Sequence, residues 1–354
     1  MAFKSVIEIG GIKLGKNKKP FIVAELSGNH NQSLSRALRL VDLAADSGAN
    51  AIKLQTYTPE TLTLKSNKNE FKIKDKKNLW YNQNLFKLYQ KAYTPWDWHK
   101  IIFDHAKKKG LVSFSTPFDE SAVDFLEKLN VPAYKIASFE NNHFPLIKRI
   151  AKTKKPMIIS LGMTRFEEIK ELISLLKKLK VKELILLKCT STYPTNPIET
   201  NLKTISKIKE KFDCLVGLSD HTLGIGVPIA SIPYEVSMIE KHFTDSRKKV
   251  GVDSAFSLEP KELKMLCEES NNAWLSLGKV KFGPTQSEIS SLKYRRSIYI
   301  SKNIKKNQLI SNDNIKIIRP GHGLHPKYYE RIIGKKVIKD LKKGTPIKFE
   351  YLKK

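Results

Sequence analysis

Cysteine is nearly absent, arginine is scarce, and long apolar runs are missing. The three cysteines, Cys189, Cys214 and Cys267, are odd in number and share no metal-type spacing, which excludes a disulfide framework and suits a reducing compartment. No run approaches the roughly 18–20 apolar residues of a membrane span, and residues 1–10 lack the apolar stretch of a signal peptide. A cytoplasmic protein with no membrane contact is therefore expected. Hydrophobic residues at 40% and charged residues at 28% exclude disorder.

Arginine numbers 9 against 55 lysines, yet the formal net charge is +29. At face value such a charge suggests a nucleic-acid or anionic-membrane partner. Nucleic-acid readers favour the planar arginine fork, however, and here lysines are scattered as Lys-Lys pairs from end to end. That pattern reads as a solvated surface with no nucleic-acid partner. A basic nucleic-acid-binding protein stays as the non-enzyme alternative.

A chain of 354 residues holds two domains, or one large barrel and a small appendage. A hairpin is expected over 6–14, turning at Gly10-Gly11. Short apolar, β-branched runs then occur at 21–25, 51–55, 111–115, 134–137, 156–160, 184–189, 215–219 and 236–242. Amphipathic helical patterns follow at 33–47, 96–109, 119–129, 144–153, 165–179, 201–211, 224–231 and 260–277. Eight strands alternating with helices predict an α/β fold of the (β/α)₈ TIM-barrel type over residues 1–282. The link between the second and third strands exceeds fifty residues, a length typical of functional lids. Residues 283–293 read as a linker, and 294–354 as a small β-rich domain with a repeated turn-and-strand unit at 303–310 and 340–347.

Barrel chemistry gathers at the carboxyl ends of the strands. Here those ends carry Glu25, Lys53, Gln55, Thr116, Lys135, Ser138, Ser160, Ser191, Tyr193, Ser219, His221, Glu240 and His242. Period-two alternation turns Ile52 and Leu54 to the helices and Lys53 and Gln55 to the barrel axis, and it pairs Ser219 with His221 and Glu240 with His242. Two lysines among hydroxyls read as a pocket for phosphate and carboxylate. His221 and His242 on neighbouring strands read as a metal pair with open positions, suited to exchangeable Mn²⁺, Mg²⁺ or Co²⁺. His30, in the turn-forming run Gly28-Asn29-His30-Asn31, is expected on the same rim.

These motifs resemble a known family. Ala24-Glu25-Leu26-Ser27-Gly28-Asn29-His30-Asn31-Gln32, Lys53-Leu54-Gln55-Thr56-Tyr57, Ser115-Thr116-Pro117-Phe118-Asp119, Tyr134-Lys135-Ile136-Ala137-Ser138, Gly217-Leu218-Ser219-Asp220-His221-Thr222 and Ile239-Glu240-Lys241-His242-Phe243 look like the sialic acid synthase family. Ser138-Phe139-Glu140-Asn141 and the run 252–260 resemble its pseudaminic acid branch in particular. Ile318-Arg319-Pro320-Gly321 looks like part of the family's antifreeze-like (SAF) domain, which would occupy 294–354.

The resemblance implies condensation of phosphoenolpyruvate with an open-chain amino-sugar aldose, for this branch 2,4-diacetamido-2,4,6-trideoxy-L-altrose, releasing phosphate by C–O cleavage. It implies that Lys53, Lys135, Ser138, Ser160 and Ser219 bind phosphoenolpyruvate with Thr116 nearby. Gln55, Ser191, Tyr193 and Asp253 would complete the substrate site. His221 and His242 would hold a divalent metal, and Glu25 and Glu240 would serve as acid and base. It also implies a homodimer in which the SAF domain of one chain caps the partner's barrel and brings Arg319 to the sugar.

The chain departs from the family at several positions. Ser191 stands where Asn is usual, Leu161 where Thr is common, and Val250 where Gly is usual; Pro233 should end the seventh helix early. A sialic or legionaminic acid synthase is the alternative within the family. A Schiff-base aldolase using Lys188 or Lys135 is the alternative outside it.

Overall fold

The computed structural model describes residues 2–249 and 251–353, so the departure at Val250 lies outside the described residues. The chain divides into two compact units, Met1–Gly278 and Lys279–Lys354. The first opens with an antiparallel hairpin, β1 (Val6–Ile9) and β2 (Ile12–Gly15), which turns at Gly10 and Gly11. Both glycines hold positive φ, +58° and +84°, the left-handed region that such a two-residue turn requires.

Eight parallel strands follow among the described residues: β3 (Phe21–Glu25), β4 (Ala51–Thr56), β5 (Val112–Pro117), β6 (Tyr134–Ile136), β7 (Met157–Ser160), β8 (Leu184–Cys189), β9 (Leu215–Asp220) and β10 (Met238–His242). They pair in sequence order, and β10 closes onto β3, giving the expected (β/α)₈ barrel. The helices are α1 (Leu34–Asp46), α2 (Pro59–Leu62), α3 (Leu85–Ala92), α4 (Trp96–Lys108), α5 (Glu120–Lys128), α6 (Phe144–Ala151), α7 (Phe166–Lys178), α8 (Thr204–Phe212), α9 (Gly226–Ser231) and α10 (Pro260–Leu277). Local chemistry fixes several starts. The Ser33 hydroxyl accepts the Arg36 N–H at the head of α1, and the Asp119 carboxylate accepts the Ser121 and Ala122 N–H groups at the head of α5.

Alternation along each strand divides the core in two. Ile22, Ala24, Ile52, Leu54, Ile136, Ile159, Leu184, Leu186 and Ile239 pack outward against the helices. Phe21, Val23, Ala51, Phe114, Ala133, Ile158, Ile185, Leu187, Leu215 and Met238 fill the barrel interior. Ile7, Ile9 and Leu14 of the hairpin join this inner cluster, so the hairpin stoppers the amino-terminal end of the barrel.

One departure from the sequence reading matters for the site. The 56–110 link carries α3, whose Phe86, Leu88 and Ala92 are buried and whose N-cap is Asn84. The sequence signals no helix at 85–92, because an eight-residue amphipathic segment is hard to see among lysines and asparagines. Helix α9 stops at Ser231, and Pro233 lies in a 3₁₀ turn, Ile232–Tyr234, as expected of a residue without an N–H to donate. Leu161 is buried in the outer apolar layer, where a methyl-rich side chain replaces Thr without leaving an unpaired hydroxyl.

The second unit contains the 3₁₀ helix Gln286–Tyr294, the antiparallel pair β11 (Ser297–Ile300) and β12 (Ile315–Ile318), and the short helix α11 (Tyr329–Ile332). Its core is mostly isoleucine: Ile298, Ile300, Ile304, Ile310, Ile315, Ile332 and Ile347, with Val337, Leu341 and Leu352. The two repeated units pair with each other, Ile304 and Leu341 exchanging N–H···O bonds of 2.9 and 2.8 Å. Outside β11 and β12 the described pairings are single bridges, so regular strand is sparser than the sequence suggests.

Gly217 marks the tightest point of the inner layer. A Cβ there would meet the Met238 carbonyl at 2.5 Å and Leu187 Cδ2 at 2.6 Å. Gly217→Ala is expected to destabilise the barrel by about 1–3 kcal/mol through overpacking, read as a lowered calorimetric midpoint. An unchanged midpoint would show that β9 and β10 can separate freely.

Candidate active site

The inward file of each strand changes from apolar to polar as it approaches the carboxyl end. Val23 is followed by Glu25, Ala51 by Lys53 and Gln55, Phe114 by Thr116, Ala133 by Lys135, Ile158 by Ser160, Gly217 by Ser219 and His221, and Met238 by Glu240 and His242. One parity rule therefore delivers these side chains to a single mouth.

At its centre are two ammonium groups and two carboxylates, all at most 5% exposed: Glu25, Lys53, Lys135 and Glu240. Lys53 contacts the Glu25 carboxylate, donates to Thr116 Oγ1 at 3.0 Å, and lies 3.8 Å from Glu240 Oε1. Lys135 donates to Ser160 Oγ at 2.7 Å and lies 3.8 Å from the same Glu240 oxygen, which also accepts from Ser219 Oγ at 3.2 Å. Gln55 Nε2 donates to Glu25 Oε1 and to Ser27 Oγ, both at 3.1 Å.

This packing pushes the two carboxylates in opposite directions. Burial raises Glu25 to about 6 against the pull of Lys53, with Glu240 adding to the rise. Burial acts on Glu240 too, but Lys135 and Lys53 outweigh it and hold Glu240 below the ordinary carboxylate value. The lysines also differ. Burial lowers Lys135 despite Glu240, whereas on Lys53 burial is overcome by Glu240 and Glu25 and the pKa rises.

His221 and His242 face each other with ring centroids 5.4 Å apart. His221 Nδ1 lies 2.9 Å from the Thr190 carbonyl, which can only accept, so Nδ1 carries a proton; burial would lower this imidazole, but Cys189 and the Thr190 carbonyl outweigh it and raise its pKa. Burial holds His242 well below the ordinary imidazole value, and its Nδ1 has no hydrogen-bond partner. Among the described residues no third His, Cys, Asp or Glu joins them in a set able to hold an ion. With Nε2 of His221 deprotonated, the two imidazoles, one of them with the unpartnered His242 Nδ1, suit a divalent cation whose other positions go to water or substrate. Tyr193 packs 4.4 Å from His221, and Phe256 4.9 Å from His242. Burial would raise the adjacent Cys189 thiol, but His221 beside it brings it down to about 7.

Next to this charged centre is a cavity of about 460 Å³. Ser27, Gln55, Ser191, Tyr193, His242 and Asp253 line it on one side. Leu62, Ile73, Leu85 and Leu88 from the 56–110 link, with Phe118 and Phe139, give it an apolar wall. Trp80 closes one edge, its Nε1 donating to the Val252 carbonyl at 2.9 Å and its ring packing against Tyr193 and Phe256. Asp253 accepts from Ser27, which holds a left-handed φ of +45°, a strained conformation of the kind found at functional sites. Ser138, Gly162 and Ser191 meet at the inner end. The Gly162 N–H donates to Ser138 Oγ at 3.1 Å, and a Cβ on Gly162 would overlap Ser191 Oγ.

Sequence reasoning missed Glu140 and Trp80. Burial raises Glu140 to about 7 against the pull of Lys135, and its Oε2, facing the cavity, has no partner. Its signal was available: an acidic residue two positions after Ser138, in the loop following β6. Trp80 carries no signal beyond being aromatic in a polar link. His30 stands apart from the site, buried with Nε2 3.0 Å from Thr94 Oγ1 and packed edge-on to Trp98. Lys188 has the parity of Leu184 and Leu186, on the outer face of the barrel, and donates to the Cys189 carbonyl. Arg319 belongs to the second unit, exposed just past β12.

The NeuB family model matches residues 40–282, and the SAF domain model matches 295–353. Over 332 residues the chain is 44% identical to a pseudaminic acid synthase of Campylobacter jejuni subsp. jejuni serotype O:2, covering 94% of this chain and 96% of that protein. It is 42% identical to a pseudaminic acid synthase of Helicobacter pylori, covering 93% and 96%. A crystal structure of N-acetylneuraminic acid synthetase from Leptospira borgpetersenii serovar Hardjo-bovis, in complex with citrate, superposes with a TM-score of 0.72 at 34% identity, covering 82% of this chain and 96% of that one.

The split between the glutamates can be measured directly. Carboxyl ¹³C NMR, with Glu25→Gln assigning the signal, is expected to show Glu25 titrating near 6. In Lys53→Met its midpoint should rise further, because the cation that favours the charged form is gone. A midpoint that falls in Lys53→Met would contradict the pairing.

Proposed function

The chain belongs to the NeuB family and is a transferase of the nonulosonic acid synthase type, and from that premise we propose that it makes pseudaminic acid. The reaction joins phosphoenolpyruvate, 2,4-diacetamido-2,4,6-trideoxy-L-altrose and water to give the nine-carbon keto acid and phosphate. The observation that carries the reading is the pairing of a cation- and hydroxyl-lined mouth with an apolar-walled cavity beside it. The first suits a small phosphate carboxylate. The second suits a deoxy sugar with two acetamido methyls better than a fully hydroxylated one.

Lys53, Lys135, Ser138, Ser160 and Ser219, with Thr116, would hold phosphoenolpyruvate. Gln55, Glu140, Ser191, Tyr193 and Asp253 would line the acceptor site. His221 and His242 would hold a divalent Mn²⁺, Mg²⁺ or Co²⁺, which when bound polarises the acceptor's aldehyde. As the third carbon of phosphoenolpyruvate bonds to that aldehyde carbon, positive charge develops at the second carbon. Glu240, kept ionised by its two lysines, faces that charge without taking up a proton. Water then adds to the second carbon, Glu25 accepts its proton and passes one to the alkoxide left by the aldehyde, and the tetrahedral intermediate breaks its C–O bond to release phosphate, which carries off the hydroxyl proton as the keto group forms. A carboxylate near pKa 6 is suited to that exchange at neutral pH.

Arg319 would reach the acceptor from the partner protomer of a homodimer. The exposed apolar residues Phe139, Met163, Ile198 and Leu223, on the loops after β6, β7, β8 and β9, support a cap over the mouth. The depressed Lys135 ammonium favours one competing reading, a Schiff-base aldolase.

Phosphate release from phosphoenolpyruvate, measured with the altrose, N-acetylmannosamine and the legionaminic precursor with and without chelator, is expected only with the altrose and only without chelator. Release with N-acetylmannosamine alone would overturn the acceptor, and borohydride trapping of pyruvate on a lysine would replace the mechanism. Because the base must be ionised, kcat should rise with pH through about 6 and then level. Glu25→Gln should lower kcat by about 10²–10⁴ and remove that limb. A variant that keeps the limb would overturn Glu25 as the base.

A further inference from the structure

Strands β9 and β10 lie side by side, Gly217 to Asp220 opposite Met238 to Lys241. Their ladder stops at the Asp220–Lys241 pair, one residue short of His221 and His242. These two residues have the parity opposite to the histidines and face the outer layer, where their neighbour Ile239 packs against the helices. There the Lys241 and Asp220 side chains, 0% and 2% exposed, meet at 2.8 Å. The Asp220 carboxylate also accepts the Thr222 hydroxyl at 2.7 Å and the Thr222 N–H at 3.2 Å, and the Lys241 ammonium donates to the Thr222 carbonyl. The residues on both sides of His221 are thus tied to the residue that precedes His242.

Stability alone does not account for this arrangement. Removing two ions from water costs several kcal/mol each, and a well-packed apolar pair of the same volume is often neutral or stabilising by comparison. What an apolar pair lacks is direction. Past the end of the ladder the strands no longer set each other's spacing, and a charged clamp with fixed hydrogen-bond angles can do so. The other acid that bears on Lys241, Glu262 of α10, is engaged by Arg247 at 2.5 Å, which leaves Asp220 as the near partner.

We propose that Asp220, Lys241 and Thr222 form a positioning clamp that holds His221 and His242 at the spacing needed to share one divalent cation. The clamp touches neither substrate nor ion and acts through the two imidazoles. It rests on the reading of these histidines as the metal pair.

The test is Mn²⁺ binding to the full-length, metal-free protein, followed by electron paramagnetic resonance of free Mn²⁺. Asp220→Asn/Lys241→Met removes both charges together, so neither is left buried alone. It is expected to keep the wild-type circular dichroism spectrum and to bind Mn²⁺ about 10- to 100-fold more weakly, the usual effect of losing groups that orient a metal's ligands. Phosphoenolpyruvate affinity in the absence of metal should stay within about twofold of wild type, because the phosphate-binding residues lie on other strand ends or on the inward face. Thr222→Val deletes one strut and leaves the ion pair, and should cost about three- to tenfold in Mn²⁺ affinity. Wild-type Mn²⁺ affinity in the double variant overturns the clamp. If the double variant does not fold, unchanged affinity in Thr222→Val overturns it instead. Equal affinity in wild type and His221→Ala overturns the histidine reading, and the clamp with it.

Discussion

Four buried charges in one barrel mouth constrain the rest of the molecule. Each ion costs several kcal/mol to remove from water, and the cost is offset only where geometry supplies opposite charges close by. Glu25, Lys53, Lys135 and Glu240 meet that condition because they come from β3, β4, β6 and β10 of a closed barrel, whose inward positions have nowhere else to point. The hairpin stopper and the apolar inner layer beneath them complete the arrangement by keeping water out from the amino-terminal side. Two positive and two negative groups balance, yet unequally: Glu240 lies near both lysines, while Glu25 is in contact with Lys53 and is more deeply buried. That asymmetry separates the carboxylates into one that stays ionised and one that can exchange a proton near neutrality.

Rigidity and adaptability are divided between strands and loops. The charges sit on strand ends braced by ladder hydrogen bonds, where displacements are small. The cavity beside them takes much of its apolar wall from the 56–110 link, held in place by α3 and by Trp80 against Val252. Such a division lets chemistry at the strand ends stay constant while loop changes reshape the cavity beside it. The departures Leu161 and Pro233 lie outside both parts, one in the outer layer and the other in a turn after α9.

Much of this was legible from alternation alone. Lys53 and Gln55 point inward because Ile52 and Leu54 must point outward, and the same rule separated His221 from Asp220 and His242 from Lys241. Legibility failed where the signal was not periodic. Glu140 lies in a loop, where no parity applies, and its importance comes from burial without a partner. Helix α3 was hidden because its apolar face is only three residues wide, and His30 resembled a rim residue until its contacts with Thr94 and Trp98 placed it in the core.

The sequence by itself determined the number and order of the barrel strands and the face on which each charged residue lies. Only the tertiary structure decided which lysine meets which glutamate, how far apart the histidines stand, and which loop walls the cavity. The physical reason is range. Alternation and capping act over a few neighbouring residues and are written in local order, whereas desolvation and Coulomb energy depend on distances between residues up to two hundred positions apart, which exist only once the barrel has closed.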